Sequence, residues 1–514
     1  MTPDKMNIGL PHLEEIPKPE LTEETLERIP RSYLKRFGLF PFFEDDHGIR
    51  VAISDPANLS ALDDLGKLLQ KSVDPYLALE EQINQSVNLF FGSATDTAES
   101  VIDDLSGQEY ESIAEELEEV QDLLDAETEA PIIRLINLIF YQAVESRASD
   151  IHIEPYEKDM LIRYRIDGVL YERHQPPKRF QSALVSRIKI MANLNIAEKR
   201  LPQDGRIKIK IAHKEVDIRV SIIPTAFGER VVLRLLDKNA TIFDLEDIGL
   251  TDRNYKLLSK LIRKAHGIVL VTGPTGSGKS TTLYAALNRI NSPDKNILTI
   301  EDPIEYQIKG IGQIHVNPKI DLTFARGLRS ILRQDPDVIM IGEIRDLETA
   351  EIAIQASLTG HLVFSTLHTN DSSGAVTRLI DMGIEPFLVC SSVIGILAQR
   401  LVRVICPHCK VAYKPSNAEL EELGFNPAEL QNPLFHHGKG CDHCFQTGYH
   451  GRTGIYELLL TTDKINKLIL SNADSNQIKE TAVQEGMRML RHDGAQKVLR
   501  GITTIEEVLR VTQQ

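Results

Sequence analysis

The sequence predicts a multidomain α/β chain, and three observations predict it. First, 514 residues with 42% hydrophobic content exceed what one ordinary core accommodates. Second, from about 241 to 400 short apolar strands alternate with amphipathic helices, the pattern of a parallel sheet covered on both faces. Third, "GIVLVT" runs into "GPTGSGKST" and then "TLYAALNRI", a buried strand, a glycine-rich loop and a helix in immediate succession.

Taken in chain order, residues 1–92 read as a small mixed domain. It combines short amphipathic helices and a strand in "LTEETLERIPRSYLKRFGLFPFF", a strand in "GIRVAISDP" and a helix in "LSALDDLGKLLQ". Nothing catalytic stands out there, which makes it a docking module. Residues 93–130 hold fourteen Asp or Glu and no Lys or Arg, the composition of a solvated linker. Residues 131–240 read as a helix, "APIIRLINLIFYQAVESRA", followed by strands with period-two alternation. The α/β core spans 241–400, a four-cysteine segment 401–453, and a helical segment 454–514.

Composition narrows the function classes. A net charge of −16 with no basic, aromatic-rich strip argues against a nucleic-acid binder. The N-terminus lacks a basic start followed by an apolar stretch, so no signal peptide is expected. The longest apolar run, "FLVCSSVIGILA", is too short to span a bilayer. Four of the five cysteines form CPHC (Cys406, Cys409) and CDHC (Cys441, Cys444), with 31 residues between the pairs. That spacing fits one structural zinc closed by four thiolates rather than a redox pair. Cys390, in the apolar run, reads as a small core residue.

Gly273, Pro274, Thr275, Gly276, Ser277, Gly278, Lys279, Ser280 and Thr281 form the phosphate loop. The glycines let backbone N–H groups surround the phosphates, Lys279 reaches the β and γ oxygens, and Ser280 ligates Mg²⁺. ATP is the ligand expected. Two apolar strands end in acids suited to the same site: "NILTIEDPIEY" in Glu301, Asp302 and Glu305, and "DVIMIGE" in Glu343.

These motifs, in order with "RASDIHIEP", "LPQDGRI" and "TGHLVFSTLHTND", resemble the secretion ATPases of the type II/type IV pilus superfamily. The general secretory pathway protein E family is the nearest likeness, matching in motif order from about 130 to 455. The resemblance implies a RecA-like ATPase core, a PAS-like second domain at 131–240 and an N-terminal docking domain. It also implies Glu305 as the group activating water, Glu343 as the Walker B carboxylate on Mg²⁺, and His361 and His368 as γ-phosphate sensors. Arg219 and Arg234 before the core, and Arg329, Arg333, Arg345 and Arg378 within it, are implied to complete the nucleotide site. An arginine delivered by domain closure or by a neighbouring subunit is worth ~10³–10⁵ in rate, a physical reason for ring assembly.

The implied protein is a cytoplasmic, peripheral inner-membrane ATPase, a homo-hexamer driving pseudopilus assembly. Residues 1–92 would bind the cytoplasmic domain of an L-type membrane protein, and an F-type platform protein would receive the stroke. The four-cysteine insert favours assembly over retraction motors. A type IV pilus assembly ATPase, a nucleic-acid translocase and a nucleotide-gated scaffold are the alternative readings.

Overall fold

The computed structural model describes residues 126–513 apart from 212–213, 238–243 and 427–433, and within the first 86 residues mainly 37–83. The acidic segment 93–125 lies outside the described residues. The chain divides into two compact units: 1–141 with 156–160 and 174–188, and 142–155 with 161–173 and 189–514.

In the first unit β1 (Leu39–Glu44) and β2 (Ile49–Ile53) pair antiparallel, and helix α1 (Leu59–Leu69) returns the chain to β3 (Val73–Leu77), parallel to β2. Leu39, Phe40, Val51, Ile53, Leu62 and Leu65 are fully or nearly fully buried in one apolar cluster. The two strands and the following helix read from the sequence are there, and β3 after the helix is an addition to that reading; the helices expected before β1 lie largely outside the described residues.

Helix α2 (Ala126–Glu145) buries Ile132, Leu135, Ile136, Ile139, Phe140 and Ala143, the three-and-four spacing of one helical face. A six-stranded sheet follows, built from β4 (Ala148–Pro155), β5 (Met160–Ile166) and β6 (Val169–His174), then helix α3 (Gln181–Met191), then β7 (Gln203–Ile211), β8 (Lys214–Thr225) and β9 (Gly228–Asp237). Its order is β6-β5-β4-β9-β8-β7.

The core of the second unit is a seven-stranded sheet. Helix α4 (Asp252–Leu261) precedes the interior strand β10 (Gly267–Thr272), which feeds helix α5 (Lys279–Ile290). Then come β11 (Ile297–Glu301), β12 (Gly312–His315), α6 (Phe324–Ile331), β13 (Val338–Ile341), α7 (Leu347–Leu358) and β14 (Leu362–Leu367). Helices α8 (Ser372–Asp381) and α9 (Pro386–Ser392) lead to the long β15 (Val393–Ile405). The order β12-β11-β13-β14-β10-β15-β18 is parallel except where β15 meets β18 (Tyr449–Leu460). On β10, Ile268 and Leu270 enter one apolar cluster while Val269 and Val271 enter another, so the strand is buried on both faces. That accounts for its unbroken apolar run.

The cysteine segment is an insert between β15 and β18, containing β16 (Lys410–Tyr413), α10 (Asn417–Glu422) and β17 (Phe435–Gly438). Residues 454–460, read as the start of a helical run, belong to β18, and the helices begin with α11 (Asp463–Leu470). Helices α12 (Ser475–Gln484), α13 (Leu490–Leu499) and α14 (Ile505–Thr512) complete the chain. Within the second unit the six-stranded sheet meets the insert side of the core. Asp167 accepts from Gly451 N–H at 2.9 Å, and Arg403 donates to the Tyr171 hydroxyl at 2.6 Å. Among the described residues no helix is long and apolar enough to cross a membrane.

Candidate nucleotide site and cysteine cluster

Parallel strands bring their carboxyl ends to one edge, and the candidate site lies on that edge of the core sheet. The phosphate loop leaves β10 there. Gly276 and Gly278 adopt φ of 78° and 85°, the left-handed region that a side chain resists, and Gly278 caps α5. The loop leans on β15: the Gln399 amide donates to Ser277 O at 2.6 Å. Lys279 opens the helix, 9% exposed, its ammonium donating to Gly273 O at 2.8 Å and Pro274 O at 3.2 Å. Burial lowers its pKa; Glu343 partly offsets this and Arg400 adds to it. Ser280 is exposed in the first turn, beside the positive end of the helix.

Glu343 follows β13, with Arg345 and His368 as partners. Arg345 pairs with one carboxylate oxygen, and His368 Nε2 lies 3.1 Å from the other. Burial pushes this carboxyl up, but the Arg345 and His368 contacts outweigh it and hold it below the usual range. The three acids after β11 separate. Glu301 is buried, bonded to Tyr284, to Thr299 Oγ1 at 2.6 Å and to Gln313 Nε2 at 3.1 Å. Asp302 and Glu305 are exposed on the loop beyond it. The site can therefore hold phosphates at Lys279 and the loop amides, with the free carboxylate of Glu305 facing solvent on the same edge.

Cys406, Cys409, Cys441 and Cys444 converge, all four sulfurs lying within 4.8 Å of one another. Sγ separations of 3.8 Å (Cys406–Cys441 and Cys409–Cys444) and 3.7 Å (Cys441–Cys444) suit a metal. A tetrahedron with sulfur about 2.3 Å from its centre has edges of about 3.8 Å. The N–H groups of Cys441 and Gly448 each reach Cys444 Sγ at 3.3 Å, the donors that stabilise a thiolate. The His408 and His443 rings lie outside this set, tilted against each other with centroids 4.0 Å apart. Cys390 is half-buried and bonds the Asn466 carbonyl.

Residues 125–510 match the model of the type II/IV secretion system proteins, and residues 8–97 that of the MshEN domain. The chain belongs to the type II/IV secretion system protein family. The type II secretion system protein E of Pseudomonas aeruginosa is 52% identical over 490 residues, 95% of this chain and 96% of that one. The type II secretion system ATPase E of Vibrio cholerae is 50% identical over 495 residues, covering 96% and 98%. The fold is shared with the ATPase DotB of Yersinia pseudotuberculosis, TM-score 0.55 at 23% identity, covering 74% of this chain and 93% of that one. As a member of this family the chain is an ATP-hydrolysing enzyme.

The family's implied site residues are only partly gathered within one chain. Lys279, Ser280, Glu305, Glu343, Arg345 and His368 share the carboxyl edge. His361 stands at the opposite end of β14, its ring against Ala356 O at 2.8 Å and Thr359. Seven extended residues put it roughly 23 Å from His368. Arg234 pairs with Asp150 at 2.9 Å, and Arg219 is half-buried on β8 beside it in register. Arg329 pairs with Glu348 at 2.7 Å, Arg333 donates to Arg329 O at 2.8 Å, and Arg378 is exposed on α8. Sequence reasoning missed Arg400. It is half-buried on β15, bonded to Asn370 O at 3.0 Å and Oδ1 at 3.1 Å, and close enough to Lys279 to bear on its charge. The signal was Gln399-Arg400 at the end of the apolar run "VIGILA", although β15 itself continues to Ile405.

Proposed function

We propose that this chain is the ATPase that energises type II protein secretion, converting ATP and water to ADP and phosphate. It would drive pseudopilus assembly from the cytoplasmic face of the inner membrane. The observation that carries the reading is the convergence of Lys279, Glu305, Glu343 and His368 on one sheet edge, in a chain about half identical to secretion protein E over nearly its full length. Lys279 and the backbone N–H groups from Thr275 to Thr281 hold the β and γ phosphates; Glu305 takes the proton of the attacking water. Ser280 and Glu343 would hold Mg²⁺, which neutralises phosphate charge when bound. His368 positions Glu343.

Arg219, Arg234, Arg329, Arg333, Arg345 and Arg378 complete the site in a homo-hexamer, some of them across subunit boundaries. His361, far from the loop of its own chain, belongs with this intersubunit group. Residues 1–92 dock on the cytoplasmic domain of the L-type protein, and the F-type platform protein receives the stroke. The four thiolates hold a structural zinc that sets the insert between β15 and β18. A Cys444→Ser chain is expected to lose most of its ~one zinc per chain and to become protease-sensitive between 406 and 444, with nucleotide affinity within about twofold. Metal analysis and limited proteolysis read this out.

The function itself is tested with the full chain and vesicles carrying the two membrane partners. Turnover is expected to rise well above that of a Lys279→Ala chain. Stimulation by DNA and not by vesicles would select a translocase. Docking of residues 1–92 only to a pilus platform would select pilus assembly.

A further inference from the structure

We propose that Tyr284 is a positioning residue for hydrolysis: its hydroxyl fixes the backbone at Glu305 and ties it to the phosphate-loop helix. This rests on the reading of Glu305 as the group that takes the proton of water.

Tyr284 lies on α5, five residues after Lys279, with its side chain 2% exposed. The ring sits in the apolar cluster with Val269, Val271 and Leu287, and a phenylalanine would serve that cluster as well. The hydroxyl does something else. It donates to the Glu301 carboxylate and accepts from the Glu305 backbone N–H at 3.2 Å. Burial, then Glu301 itself, raises the Tyr284 pKa, so the hydroxyl remains a donor. Its ring also meets Tyr306 edge-on, centroids 6.0 Å apart.

Glu301 is the hub of the arrangement. Its Oε1 takes Thr299 and Gln313, and the same Gln313 amide group donates to Tyr306 O at 3.0 Å. Gln313 Oε1 in turn accepts from Ile308 N–H at 2.8 Å. The loop carrying Glu305 is thus pinned at 305, 306 and 308, by Tyr284 from one side and Gln313 from the other. Both pins lead back to one buried carboxylate. A shift of α5 at the phosphates moves the Glu305 backbone with it, and a loose pin lets Glu305 wander from the water it must meet.

Misplacement of a reacting group by about 1 Å costs up to ~10²-fold in rate, with little effect on ground-state binding. A Tyr284→Phe full chain is therefore expected to show kcat lowered ~tenfold or more, with KM for ATP and ADP affinity within about twofold. The decisive measurement is the double variant with Glu305→Gln. If Tyr284 acts through Glu305, the double variant is no slower than Glu305→Gln alone. Gln313→Met, at the other pin, is expected to repeat the kcat loss and keeps the test available should the tyrosine variant fold poorly. An unchanged kcat in both pin variants overturns the proposal, as does a double variant whose losses multiply. A proportional loss of ADP affinity also overturns it, because the hydroxyl then serves the phosphate loop at large. Full turnover in Glu305→Gln alone is a different failure, that of the Glu305 reading, and the single variant reveals it.

Discussion

A Glu305→Gln chain is expected to bind ATP as the parent does and to hydrolyse it ~10²–10⁴-fold more slowly, the range for loss of a positioned proton acceptor. The other carboxylates on this sheet edge are placed differently, and Asp302 lies close enough to Arg345 to bear on its charge. Glu343 already holds Arg345 and His368, which keep it ionised and occupied. Glu301 is saturated by three donors and buried. Glu305 is fixed through its backbone while its side chain is exposed, the arrangement a proton acceptor needs. Glutamine is nearly isosteric, so thermal stability and nucleotide affinity are expected to hold. Single-turnover hydrolysis beside equilibrium nucleotide binding checks this. Loss of binding in step with turnover would return Glu305 to a structural role.

How far the site could be read from sequence depends on how local each cause is. The phosphate loop was legible because its glycines act through their own backbone and Lys279 through a side chain fixed next to them in sequence. The acids after β11 and β13 were legible as strand ends. Their division of labour was not, because Glu301 owes its burial to Tyr284, Thr299 and Gln313 on three separate elements. Arg400 needed the sheet order, since β15 lies beside β10 only through a crossover that strand periodicity does not report. His361 and His368 look paired in "TGHLVFSTLH", but seven residues of extended chain set them at opposite ends of one strand. The four cysteines came together as their spacing predicted. Residues 454–460 escaped because "GIYELLL", largely buried in β18, lacks the alternation that marks a half-exposed strand.

The largest stability effect is expected at Glu507, at the start of α14 and fully buried. Its carboxylate accepts from Arg403 Nη2 at 2.7 Å, from the Arg403 backbone N–H at 3.0 Å, and from Arg510 at 2.8 and 2.9 Å. Arg403 itself lies over the Tyr449 ring and reaches Tyr171, so this pair joins the last helix to β15 and to the six-stranded sheet. Replacing Glu507 by Ala strands the Arg403 charge, which costs ~3–5 kcal/mol. Burial pushes the Glu507 carboxyl up, but the Arg510 and Arg403 contacts outweigh it and hold it at about 2. A depressed carboxyl stabilises the fold fully above its unfolded value and loses that contribution as pH falls through the folded one. The window therefore runs from about pH 4.5 down to about 2, and a drop of that size corresponds to about 3 kcal/mol. Urea midpoints of the parent and a Glu507→Gln chain are expected to differ most at pH 5 and above and to converge as the medium is acidified. Parallel acid profiles for the two would show that Glu507 does not titrate with folding, and the pair would then be a packing contact alone.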